Sequence, residues 1–122
     1  MILIADLGAT NARFCITVDN ETYTNQANYP IKEYDSIDNL CLKYFSDHAL
    51  ESVERAVIGV AAPIIGDKVS FVNIDLKFSI LELEKNLFQK GLIIVNDLEL
   101  QGHAIFNLKP EDISYIGGKW LN

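Results

Sequence analysis

Residues 56–62, Ala-Val-Ile-Gly-Val-Ala-Ala, form an almost unbroken apolar run. A run without polar alternation fits a strand covered on both faces, as in parallel sheets whose crossover helices lie over them. A second run of this kind, Leu-Ile-Ile-Val at 92–95, follows Gly91, and a shorter one, Ile-Leu-Ile-Ala at 2–5, opens the chain. Between the last two buried runs, Ser79 is placed to cap a helix reaching about Phe88, with Glu82 completing a capping box. Buried strands alternating with helices mean α/β. The strands beginning at Ile2, Ala56 and Leu92 are expected to be the central ones.

The remaining segments complete a mixed sheet. Residues 13–18 and 22–29 read as strands separated by the polar turn Asp19-Asn20-Glu21, the second closed by Pro30. With the opening run they are close enough in sequence for an antiparallel three-strand meander. Ser36 can cap a helix whose apolar face holds Ile37, Leu40, Leu42, Tyr44 and Phe45. Pro63 and Gly66-Asp67 close the run at 56–62, and 69–74 alternates as another strand. Asn96-Asp97 opens a helix to about Asn107, a turn follows at 110–112, and 113–116 reads as a final strand.

Size and charge narrow the function. A chain of 122 residues suits one domain, and 49% hydrophobic with 22% charged residues excludes disorder. A net charge of −7 argues against nucleic acid and anionic membranes as partners. The opening apolar run lacks a basic flank and ends at Asp6, too soon for a signal peptide, and no stretch approaches a membrane span. Cys15 and Cys41 sit far apart in apolar patterns, which reads as reduced, buried thiols in a cytoplasmic protein. His48 and His103 have no second ligand at metal spacing and read as surface or helix-face residues.

Two segments carry candidate chemistry. In Asp6-Leu7-Gly8-Ala9-Thr10-Asn11-Ala12-Arg13, a carboxylate precedes a small-residue hairpin whose N–H groups can face an anion. Gly8 allows close backbone approach, and Thr10 and Asn11 offer side-chain donors. Asp6 repels phosphate, so it fits such a site only through Mg2+ or the water shell of that ion. Taken alone, the segment reads first as an ordinary hairpin turn, with Asp and Asn serving local hydrogen bonds. The second is Asn96-Asp97, just past a buried strand, where ligands of open α/β sheets sit. Asp97 there is either the N-cap of the next helix or a general base for an attacking hydroxyl, and the two roles are compatible. The segment 62–69 is a turn between strands.

Together and in order, these segments resemble the bacterial glucokinase family of the actin-like sugar kinase superfamily. The family's Asp-x-Gly-Gly-Thr-Asn-x-Arg loop is matched by residues 6–13, and its Pro-x-x-Gly-Asp-x-Val by Pro63-Ile64-Ile65-Gly66-Asp67-Lys68-Val69. Its Thr-Asn is matched by Val72-Asn73, and Phe78-Ser79, Lys85-Asn86-Leu87 and Ile93-Ile94-Val95-Asn96-Asp97 are also similar. The resemblance implies a ribonuclease H-like lobe and transfer of the γ-phosphoryl of ATP, with Mg2+, to the 6-hydroxyl of glucose or a similar hexose. It implies Asp97 as base, Asn96 on a neighbouring sugar hydroxyl, and Asn73 at the sugar cleft. Gly8, Ala9, Thr10 and Asn11 would line the phosphate path, with Asp6 reaching the metal through a bound water.

The chain departs from the family at Ala9, in place of the second glycine, and at Val72 and Leu76, in place of threonine and tryptophan. In the family a second lobe adds a Gly-Thr-Gly loop, sugar-binding Glu and His residues and the adenosine pocket. Residues 1–122 are therefore expected to be the N-terminal lobe of a two-lobe kinase, inactive alone and open to self-association through the exposed interface. The competing expectations are a non-catalytic sugar-binding or regulatory module, and a kinase of another hexose.

Overall fold

A computed structural model describes residues 1–8, 10–19, 21–71 and 75–96. Among the described residues its main sheet has the strand order Tyr23–Pro30, Asn11–Thr17, Ile2–Leu7, Arg55–Val60, Gly91–Asn96. Strand β1 (Ile2–Leu7) pairs antiparallel with β2 (Asn11–Thr17), which pairs antiparallel with β3 (Tyr23–Pro30). On its other side β1 runs parallel to β4 (Arg55–Val60), and β4 runs parallel to β8 (Gly91–Asn96). The expected meander and parallel strands are both present. Strand β8 is an edge of this sheet among the described residues, whereas the sequence placed it with the central strands.

Strand β1 runs past Ala5 through Asp6 and Leu7, because both are paired on both sides: Asp6 with Arg13 and Gly59, Leu7 with Ala12 and Val60. Strands β2 and β3 slip register between Phe14 and Ile16, where Cys15 faces two residues of β3. Asn25 takes up the extra length at φ 57°, a left-handed conformation that asparagine tolerates. The Asn25 carbonyl freed by this bulge accepts the Tyr44 hydroxyl at 2.7 Å.

Helix α1 (Ile37–Asp47) starts where Ser36 accepts the N–H of Asn39 at 3.1 Å, the expected cap. It buries Ile37, Leu40, Cys41 and Tyr44, the i, i+3, i+4, i+7 set of one helical face. Leu42 lies off that stripe and is 48% exposed. A small sheet of β5 (Ile64–Ile65), β6 (Lys68–Ser70) and β7 (Lys77–Ser79) precedes α2 (Ile80–Asn86). Strand β6 ends at Ser70, short of the strand expected over 69–74.

Side-chain alternation divides the core. Leu3, Ala5, Leu7, Ala12, Phe14, Ala56, Ile58 and Val60 pack in one cluster with α1 residues and with Leu83 and Phe88. Both described helices thus cover one face of the main sheet. Ile2, Ile4, Asp6, Cys15 and Val57 point to the other face and are also buried. The cysteines are buried free thiols, as expected.

Candidate active site at the carboxyl ends of the strands

The parallel strands end at one level: Leu7 is in register with Val60, and Val60 with Asn96. The Ala61 N–H donates to the Leu7 carbonyl at 3.0 Å, carrying the β1–β4 pairing one residue further. The β1–β2 turn leaves from this same edge of the sheet, so the small-residue turn and Asn96 share it. Two strand spacings of about 4.8 Å separate Leu7 and Asn96 by roughly 10 Å. Asn96 is half-buried, and its Nδ2 reaches the Ala62 carbonyl at 3.5 Å. Asp97, the next residue in the chain, lies outside the described residues, as do Ala9 and Asn73.

In the turn, the Gly8 N–H donates to the Asn11 carbonyl at 2.9 Å. A Cβ at position 8 would stand 3.3 Å from that carbonyl oxygen, so the close approach favours glycine. Thr10 and Asn11 are exposed, and Asn11 Nδ2 donates to Thr10 Oγ1 at 3.1 Å. The Thr10 carbonyl accepts the Ile31 N–H at 3.0 Å, tying the turn to the 3-10 segment Ile31–Glu33. The two polar side chains are thus presented to solvent on an anchored backbone.

Asp6 sits beneath the turn on the face opposite Leu7. Its residue exposure is 7%, and its Oδ2 accepts from Arg13 Nη2 at 2.7 Å. Its Oδ1 is buried and has no hydrogen-bond partner. A buried carboxylate oxygen left without a donor is costly unless something else supplies one. A water on a hard divalent cation is such a donor, so Asp6 fits the indirect metal role. Gly59, beside Asp6 in the parallel ladder, brings no side chain onto this face. Among the described residues no group of three or more His, Cys, Asp and Glu is arranged to hold a metal by direct ligation.

Arg13 closes the candidate segment with no role of its own in the sequence, and the structure sets its guanidinium on Asp6. The signal for this pairing was available: a hairpin closing at Gly8 and Asn11 pairs residues whose numbers sum to 19, which sets residue 13 opposite residue 6. Past β4, the backbone of Phe71 donates to the Leu76 carbonyl at 3.0 Å across the segment containing Asn73. Leu76, where the resemblance expects tryptophan, is a core residue at 4% exposure. No helix among the described residues is long and apolar enough to cross a membrane.

Residues 3–121 match the sequence model of the family described as Glucokinase. A glucokinase of Yersinia enterocolitica is 37% identical over 117 residues, covering 95% of this chain, and one of Neisseria meningitidis is 32% identical over 96% of it. In both cases the match spans only 36% of the relative's own length. The crystal structure of a glucokinase from an Antarctic psychrotroph superposes with a TM-score of 0.72 at 30% identity, over 80% of this chain and 32% of that one. A glucokinase of Balamuthia mandrillaris, solved in complex with glucose, gives a TM-score of 0.58 at 23% identity over 80% of this chain and 30% of that one, a likeness of fold alone. The mixed sheet and its helices are the ribonuclease H-like arrangement, and the chain belongs to the glucokinase family.

Proposed function

We propose that this chain is the N-terminal lobe of a two-lobe kinase that, complete, transfers the γ-phosphoryl of ATP to the 6-hydroxyl of glucose. One observation carries this reading: the glycine turn and the end of β8 meet at one edge of the sheet, roughly 10 Å apart by strand spacing. That gap suits an alcohol and a phosphate meeting between them. The family match over residues 3–121 and the relatives named glucokinase support the choice of substrate. The match to about a third of each relative's length supports the assignment as one lobe.

In this mechanism Asp97 accepts the proton of the sugar hydroxyl as its oxygen attacks, and the amide of Asn96 holds a neighbouring hydroxyl to set the register. Asn73 contributes at the sugar cleft. The backbone of Gly8, Ala9, Thr10 and Asn11 lines the phosphate path, with the Thr10 and Asn11 side chains as further donors. A Mg2+ ion accompanying ATP would supply charge neutralisation at the phosphate oxygens, and Asp6 Oδ1 would hold it through one of its waters. The acidic chain has no lysine patch in its turn, so backbone N–H groups and the ion carry the anion binding. We place the protein in the cytoplasm, and the lobe's partner surface is also a candidate for self-association.

The test is made on the complete protein. Asp97→Asn is expected to lower kcat by at least two orders of magnitude while the melting temperature stays within a few degrees. Near-normal turnover in that variant removes Asp97 as the base. The isolated 122-residue chain is expected to show no ATP-dependent glucose phosphorylation, because one lobe alone neither aligns both substrates nor excludes water.

A further inference from the structure

We infer that Arg13 is a positioning residue for the metal, acting through Asp6: it takes one carboxylate oxygen so that the other is held for a metal-bound water. The inference rests on the role given to Asp6 above. Its basis is the asymmetry of the Asp6 carboxylate, with Oδ2 bonded to Arg13 at 2.7 Å and Oδ1 buried without a partner. A structural ion pair alone has no need of the second oxygen, and burying that oxygen unsatisfied is a cost with no return.

The backbone fixes the pair. Asp6 and Arg13 are directly opposed in the antiparallel ladder, two residues from the Gly8–Asn11 hydrogen bond, so the turn and the pair form one rigid hairpin end. Arg13 itself has a mixed environment: its side chain is 43% exposed against 10% for Asp6, and Asn28 is its register partner on β3. The guanidinium therefore approaches from the outer strands, and Gly59 on the inner side sends no side chain towards Asp6. A guanidinium does this better than an ammonium, because its planar fork fixes an orientation as well as a charge.

Charge and positioning predict opposite outcomes, which makes the inference testable on the 122-residue chain. Removing a cation beside a carboxylate strengthens metal binding if only charge matters, and Arg13→Lys then changes nothing. Under positioning, both variants lose metal localisation at the turn. The probe is Mn2+, titrated at millimolar concentration and displaced by Mg2+, with paramagnetic broadening of the Leu7, Gly8 and Thr10 amides as the readout. Wild type is expected to show broadening at these amides that Asp6→Asn abolishes. Arg13→Lys is expected to lower it at least threefold and Arg13→Gln further, with broadening at surface carboxylates elsewhere unchanged. The rest of the amide spectrum reports that each variant is folded, and Arg13→Lys serves if Arg13→Gln is not. Unchanged broadening in Arg13→Lys, or stronger broadening in Arg13→Gln, overturns the inference and leaves Asp6's role standing. No broadening at the turn in wild type overturns both, while the kinase assignment is decided separately by the Asp97 variant.

Discussion

Asp67 caps helix α2 from the tip of the preceding hairpin: the Ser79 hydroxyl donates to its Oδ2, and the Leu81 N–H donates to its Oδ1 at 2.7 Å. The Asp67 carbonyl also accepts the Ile80 N–H at 2.8 Å. Ser79 Oγ in turn accepts the Glu82 N–H at 3.2 Å, so the first turn of a seven-residue helix is satisfied by two side chains in series. A helix this short depends on such caps. Asp67→Ala is expected to destabilise the protein by about 1–2 kcal/mol in urea unfolding. Asp67→Asn, which keeps one acceptor oxygen, is expected to lose less. Equal stability of all three proteins would show that the cap contributes nothing.

Phe14 anchors the aromatic part of the core. It is fully buried, stacks on Tyr44 with centroids 4.8 Å apart, and meets Tyr29 edge-on at 5.8 Å. Truncating it opens a cavity between β2 and α1 that rigid neighbours fill only partly. Phe14→Ala is expected to cost about 4 kcal/mol by chemical denaturation, a large share of a domain's stability. Phe14→Leu should lose clearly less.

The two thiols are expected to be inert in the native state. Burial pushes Cys15 up to about 12 and Cys41 upward as well. At pH 8 a thiol shifted from 9.0 to about 12 has roughly three orders of magnitude less thiolate, the reactive species. Reaction with a disulfide reagent should therefore follow the unfolding rate and become immediate in denaturant. Fast labelling of either cysteine in native buffer would contradict this.

Tyr29 gives the fold an alkaline weakness. Burial, and then its hydrogen bond to Asp47 at 2.8 Å, push its pKa from 10.0 to about 12. The folded state thus binds this proton more tightly than the unfolded chain. Its contribution is whole below pH 10 and is lost as pH rises towards 12. Unfolding measured between pH 9 and 12 should show a falling stability whose slope is reduced in Tyr29→Phe. Cys15 adds to the same fall from pH 9.0 upward, so Cys15→Ala should delay its onset.

Much of the fold was legible because local chemistry and tertiary packing agree. Ser36 and Ser79 cap the helices they were expected to cap, and the runs at 56–62 and 92–95 overlap strands β4 and β8, β4 buried from Ala56 to Val60 and β8 half-buried at Ile93 and Ile94. Where sequence and structure differ, a non-local partner is the cause at Asp6 and Asp67, and helical periodicity at Leu42. Asp6 looks like the end of a strand by its polarity, yet ladders on both sides keep it within β1. Leu42 looks like a core residue by composition, yet the helix turns it outward while Cys41 goes in. Asp67 looked like turn chemistry, and only the fold of the small sheet brings it to α2.

The order of residues was enough to determine the α/β class, the hairpin turn and the membership of its candidate residues in one family, because apolar periodicity, capping and motif spacing are local properties of the chain. Tertiary structure decided that Asp6 is buried with Arg13 on one oxygen and nothing on the other, and that Asn96 ends level with Leu7. Those facts depend on strand register and on which faces are covered, and register is set by partners distant in sequence.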